Sequence, residues 1–355
     1  MLFHLHGQLQ NRGESMIPTA RKAANSGSSY ILQSSELEVS IVPGEGGRIA
    51  SLRSVRSDTE FFTQAQSSRK LIKPSLKTPF QSGPCAGAEE CLPTVGPCED
   101  CTGGPAPDHG DFWQLPWSVD SYDGEQLGMH AIGFSRPLRF ARNLRVNGTL
   151  LDLDYEVTNI GSEILPFLYA WHPLFAVEEE DWIVLPEEVS EVKLFYSRGQ
   201  DLGSGDRKIP WPIFQDGSES RDLSQALAAD VGTAEMVYTH ELSAGRCGLF
   251  RKQRQEGIIL SFDPTRLPYL GVWTCFGGWP PTGEGPKQVA IALEPTTAPF
   301  NTLSEAEYAG LAVKLEPGRN FRWNMRVELV SSVKESNDFC TLVRKAHRTS
   351  PAERS

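Results

Sequence analysis

Apolar and polar residues alternate with a period of two along much of this chain, the mark of strands with one buried face. Leu151, Leu153, Tyr155 and Val157 interleave with Asp152, Asp154 and Glu156. Phe321, Trp323, Met325, Val327 and Leu329 repeat the pattern further on. Residues 37–42 predict a strand, then comes the turn Pro43-Gly44-Glu45-Gly46-Gly47 and a second strand over 48–52. An apolar run over 164–175 follows the turn Asn159-Ile160-Gly161. Further strands are predicted at 182–185, 257–262, 269–276, 289–293 and 312–315, and helix only over 224–229 and 304–309. The 25 prolines and 32 glycines punctuate these segments as turns. There is no βαβ rhythm, no glycine-rich phosphate loop and no internal repeat. The pattern therefore predicts an all-β fold, one antiparallel sandwich over 30–332 with loops from several strands meeting over one face.

The ends differ. Residues 1–28 carry no hydrophobic period and read as a disordered arm. Residues 334–355 are polar and charged, which suggests a loose tail or a short surface helix. The opening Met1-Leu2-Phe3-His4-Leu5-His6 is too short and too polar for a secretory signal, so a cytoplasmic location is expected. No apolar run approaches the ~20 residues of a membrane helix. With 34 basic against 45 acidic residues the net charge is -11, a surface that repels phosphate backbones and argues against nucleic acid as a partner. Four of the seven cysteines, Cys85, Cys91, Cys98 and Cys101, share one Gly/Pro-rich stretch. Their spacing fits no common zinc pattern, so reduced thiols in an ordered loop are expected and no metal.

Three short segments carry candidate chemistry. Glu294 follows the apolar strand 289–293, and Pro295 is expected to stop that strand at once. A carboxylate at such a shielded strand mouth suits a general base, although a solvated strand end has the same sequence. Histidine is the side chain best matched to proton transfer near neutral pH. Of seven histidines, His109 and His172 stand apart because each sits beside tryptophan and proline. Taken singly, each also reads as a core histidine satisfied by backbone groups.

The order of motifs resembles the aldose 1-epimerase (galactose mutarotase-like) family. The segments are Gly44-Glu45-Gly46-Gly47-Arg48-Ile49, His109-Gly110-Asp111-Phe112-Trp113, His172-Pro173-Leu174-Phe175 and Leu293-Glu294-Pro295, with Leu267-Pro268-Tyr269-Leu270-Gly271-Val272-Trp273 before the last. Leu315-Glu316-Pro317-Gly318 with Phe321-Arg322-Trp323 is similar to the family's closing hairpin, and the likeness runs from about residue 30 to 330. It implies a twisted β-supersandwich and interconversion of the α and β anomers of a free sugar. Glu294 would take the proton from the anomeric hydroxyl, His172 would protonate the ring oxygen, and His109 would hydrogen-bond the ring oxygen or a neighbouring hydroxyl. Such ring opening needs one base and one acid and neither redox cofactor nor metal; each positioned proton transfer is typically worth ~10²–10⁴-fold. Trp113, Trp171 and Trp279 are the tryptophans expected to pack against the C–H face of the sugar.

The chain also departs from the family. An Asn-Arg pair that contacts sugar hydroxyls is missing, and the equivalent stretch is Gly87-Ala88-Glu89-Glu90-Cys91-Leu92-Pro93-Thr94. Glu90 either replaces that contact or faces water. The family's further sugar-binding Asp has three candidates, Asp201, Asp206 and Asp263. A hexose-6-phosphate 1-epimerase would need a cationic clamp. Arg136, Arg139, Arg142 and Arg145 supply charge, but on a strand their spacing sends successive side chains to opposite faces, so they read as a solvated hairpin. Two other classes stay open: a carbohydrate-binding module without turnover, and a lyase or hydrolase, which would usually show two carboxylates.

Overall fold

A computed structural model describes residues 29–65, 73–199, 202, 205–216, 219–280, 287–333 and 336–345. Two large antiparallel sheets dominate it. Ten strands form the first, in the order Tyr30–Gln33, Leu37–Val42, Arg48–Ser54, Gly87–Cys91, Ala170–Leu174, Val289–Thr296, Tyr269–Phe276, Thr233–Tyr238, Glu191–Arg198 and Arg207–Pro210. Eight form the second: Trp182–Val184, Arg246–Arg251, Glu256–Phe262, Asn320–Ser331, Leu150–Asn159, Leu138–Asn147, Gln126–Ile132 and Ser118–Tyr122. The all-β expectation for the fold holds.

The alternation read from the sequence is what joins the sheets. Leu151, Leu153, Tyr155 and Val157 point inward, as do Trp323, Met325, Val327 and Leu329 on the paired strand. They share one continuous core with Val39, Ile41 and Leu52 of the ten-stranded sheet. Fully burying an aliphatic or Phe side chain is worth roughly 1.5–3 kcal/mol, so this core dominates cohesion. Its centre is aromatic: Tyr155 and Trp323 stack at 5.1 Å, and Tyr169 meets Trp323 at 4.4 Å.

Several expectations need correction. The strand carrying Glu294 runs on through Pro295 to Thr296, because the neighbouring strand pairs with it along its whole length, from Phe276↔Val289 to Tyr269↔Thr296. The run over 164–175 breaks into two strands, Leu165–Phe167 and Ala170–Leu174. No helix forms over 224–229; Gln225 instead makes a bridge to Trp182. The predicted helix over 304–309 exists as Leu303–Tyr308, opened by a capping box between Thr302 and Glu305. Of the loose tail and the short helix expected from 334 on, the helix forms: Ser336–Arg344 buries Phe339 and Val343 against Val184, Phe250 and Ile259. A Cβ on Gly257 would stand 2.5 Å from the Phe339 ring, so this docking needs a glycine beneath it. The expected arm over 1–28 and the last ten residues lie outside the described residues. Among the described residues, no helix is long and apolar enough to cross a membrane.

The solvated-hairpin reading holds for two of the four arginines, Arg139 being half-buried and Arg145 exposed, and fails for the other two. Arg136 and Arg142 are buried. Arg136 ties down the loop carrying Cys101 by donating to its Sγ and to the carbonyls of Thr102 and Gly104. Arg142 pairs with Glu90 and donates to the Gly47 carbonyl. Strand parity was right to separate neighbours, but one of the two faces is core.

Candidate active site

Strand parity also builds the site. Along Val289–Thr296, Ile291 and Leu293 enter the inter-sheet core, so Ala290, Ala292 and Glu294 occupy the opposite face. Along Ala170–Leu174, Trp171 enters the core and His172 shares its face with Ala170 and Leu174. The two strands are neighbours, with Ala170 opposite Thr296. His172 Nε2 consequently stands 3.9 Å from Glu294 Oε1.

A loop brings the third group over this face. His109 has φ +58°, a left-handed backbone, and Gly110 after it has φ +74°. A Cβ on Gly110 would come within 2.0 Å of the Leu92 carbonyl, so glycine is required there. The His109 ring lies flat on Phe80, with centroids 3.8 Å apart and planes within 6°. It meets the His172 ring edge-on at 5.0 Å. Its Nδ1 is 2.8 Å from Asp108 Oδ1, while the other oxygen of Asp108 accepts from the Phe80 amide. His109, His172 and Glu294 line one cavity of about 260 Å³ with Asp108, Phe80, Phe195, Tyr196, Met236, Trp273, Trp279 and Gln288.

Burial sets the protonation of the pair. It pushes the Glu294 carboxyl up to about 8. Burial, reinforced by His109, pushes the His172 imidazole down to about 3. Burial raises the Asp108 carboxyl as well, but the hydrogen bond and charge of His109, with the Phe80 amide, hold it below its usual range. Between about 3 and about 8, Glu294 and His172 therefore hold one proton between them. An acid and a base side by side in an apolar cleft can shuttle protons on a bound ligand.

The other expected sugar contacts divide. Trp279 lines the cavity, its ring perpendicular to Trp273 at 6.2 Å. Trp171 is wholly buried on the core face, because it is one residue out of phase with His172. Trp113 is also wholly buried and braces the loop: its Nε1 donates to the Asp108 carbonyl and its edge meets Phe80. Glu90 neither faces water nor reaches the cavity. It sits in the core opposite Trp171, accepting from Arg142, Tyr169 (2.8 Å) and Tyr155 (3.2 Å). These three residues offer a ligand no surface. Asp206 is exposed and pairs with Lys193, Asp263 binds its own turn through Thr265, and Asp201 lies outside the described residues.

Asp108, Trp273, Phe80 and Tyr196 are among the cavity residues that the sequence did not single out. Asp108 had a signal, its adjacency to His109. Trp273 stood in a predicted strand, where parity with Gly271 opposite Glu294 gives its face. Phe80 and Tyr196 had none, since one comes from an irregular loop and the other from a strand whose alternation is interrupted.

No family model and no curated protein matches this chain. Solved structures do. A galactose mutarotase related enzyme from Lactobacillus acidophilus superposes with a TM-score of 0.61 at 17% identity, covering 86% of this chain and 99% of its own. A protein from Escherichia coli K12 described as a candidate aldose 1-epimerase gives 0.63 at 17% identity, over 86% and 100%. A Klebsiella pneumoniae protein described in the same way gives 0.64 at 13% identity, over 90% and 88%. The fold is that of galactose mutarotase-like proteins.

Proposed function

We propose that this chain is an aldose 1-epimerase-type isomerase acting on the reducing end of a neutral sugar. The observation that carries the reading is the meeting of His172 and Glu294 at 3.9 Å on a cavity that His109 also lines. The displaced affinities rest the shared proton on Glu294, so the working form is the minor tautomer, with that proton on His172 and Glu294 as carboxylate. Glu294 then removes the O1 proton, the C1–O5 bond breaks as the carbonyl forms, and O5 takes the proton from His172. Rotation about C1–C2 followed by the reverse transfers gives the other anomer. Nothing is consumed, and both side chains return to their starting state. His109 spends Nδ1 on Asp108 and keeps Nε2 for a sugar oxygen.

Two rival readings are weaker. A sugar phosphate needs a cationic partner, and no Arg or Lys is among the described residues that line the cavity. A binding module needs no acid and base of displaced pKa. Magnetisation-exchange NMR between the α and β anomeric protons tests the proposal. The protein should speed exchange well above the buffer rate for at least one sugar of a neutral panel, and buffer-rate exchange for all of them would sink it.

A further inference from the structure

The cavity floor continues well beyond the proton-transfer pair. Across the ten-stranded sheet, Ala292 is in register with Trp273, Trp273 with Met236, and Met236 with Tyr196. With strands about 4.8 Å apart, three steps take this floor roughly 14 Å from the Glu294 strand to the Tyr196 strand. That is longer than one pyranose ring.

The far end is shaped for the purpose. The register of Glu191–Arg198 slips between Leu194 and Tyr196, so Phe195 is an extra residue at a bulge. Ordinary alternation would send Phe195 and Tyr196 to opposite faces, yet both line the cavity. Bulges re-aim side chains in this way beside binding sites. The Tyr196 and Trp273 rings lie 6.0 Å apart with planes only 30° from parallel, forming a half-buried aromatic platform. The hydrogen-bonding capacity of Trp273 is already spent, because its Nε1 donates to Gln288 Oε1 at 2.8 Å. What remains of the Gln288 amide is its N–H donors, held beside the platform. The Gln288 N–H donates to the Trp279 carbonyl and the Gln288 carbonyl accepts from the Gly277 N–H, both at 2.9 Å, which fixes that residue in place.

We infer that this platform is a second sugar subsite, so that the preferred substrate is a reducing disaccharide or longer neutral glycan. The reducing ring sits over His172 and Glu294. The next ring lays its C–H face on Tyr196 and Trp273, and Gln288 donates to one of its oxygens. An aromatic platform with few hydrogen-bonding groups suits the apolar face of a sugar ring, whose hydroxyls then point along the open cleft. This inference rests on the mutarotase reading for turnover but not for binding.

The test compares maltose, cellobiose, lactose and melibiose with glucose, their common reducing-end ring, in the wild type, Tyr196→Ala and Tyr196→Phe. At least one disaccharide should show kcat/KM for anomerisation tenfold or more above glucose. Tyr196→Ala should bring that ratio to within threefold of one, and Tyr196→Phe should keep it. Glucose turned over as well as every disaccharide, or a ratio indifferent to Tyr196→Ala, overturns the subsite. If no sugar is turned over, the isomerase reading fails, and saturation-transfer NMR decides the subsite by itself. Strong transfer to second-ring protons that Tyr196→Ala removes supports it, and transfer to the reducing ring alone overturns it.

Discussion

His172 and Glu294, on adjacent strands, face each other at 3.9 Å, and burial displaces their proton affinities in opposite directions. The imidazole is pushed down to about 3 and the carboxyl up to about 8, so the pair keeps a single proton across the neutral range. Anomerisation should therefore be nearly flat from about pH 5 to 7. It should fall on the alkaline side with an apparent pKa near 8, belonging to the pair rather than to either residue. A rate that climbs steadily through pH 9, after subtraction of the buffer reaction, would contradict this.

The same displacements act on stability. The Glu294 pKa is raised on folding, so its contribution is fully present below about 4.5 and is lost as pH rises through about 8. The His172 pKa is lowered, so its contribution is present above about 6.5 and is lost as pH falls through about 3. At about 1.4 kcal/mol per unit, less what cavity water returns, each amounts to a few kcal/mol at most. Glu294→Gln should match the wild type in thermal melts at pH 5 and exceed it in Tm at pH 9. Equal Tm differences at the two pH values would show that Glu294 is not desolvated.

Asp108 touches no reacting atom in this scheme; it positions His109 through the 2.8 Å contact at Nδ1. Asp108→Asn should lower kcat by about 10–100-fold, as loss of an orienting partner typically does. The shape of the pH profile should change while Tm shifts little. A loss of activity that follows the loss of folded protein, with an unchanged pH profile, would make Asp108 merely structural.

Glu90 and Arg142 form a buried pair beneath the site. Removing one partner of such a pair leaves an uncompensated charge and costs about 3–5 kcal/mol. Glu90→Ala should lower the free energy of unfolding by that much, read from denaturant titration, while the folded fraction keeps its KM. Normal stability with a raised KM would return Glu90 to the sugar.

Much of this was legible in the sequence where alternation is clean. The strands Leu37–Val42 and Tyr269–Phe276 were delimited to the residue, and His109, His172 and Glu294 were singled out by short motifs before their meeting was visible. Glu191–Arg198 escaped because its bulge breaks the period, and Thr233–Tyr238 because both of its faces are buried. Trp171 and Glu90 were misassigned for one shared reason. Trp171 sits one residue from the cavity-lining His172, and at period two a single position exchanges the cavity for the core; Glu90, opposite Trp171, falls on that same core face. A short helix near 336–344 was one of two readings of that polar stretch; its docking was not legible, since only Phe339 and Val343 mark its wholly buried side.

The most direct measurement is anomerisation by wild type and Glu294→Gln, followed by exchange NMR at pH 7 on the sugar that the wild type handles best. With the base removed, kcat/KM should fall by at least about 10²-fold while the fold, judged by Tm, is kept or strengthened. Equal rates from the two proteins would mean that Glu294 does not carry the proton.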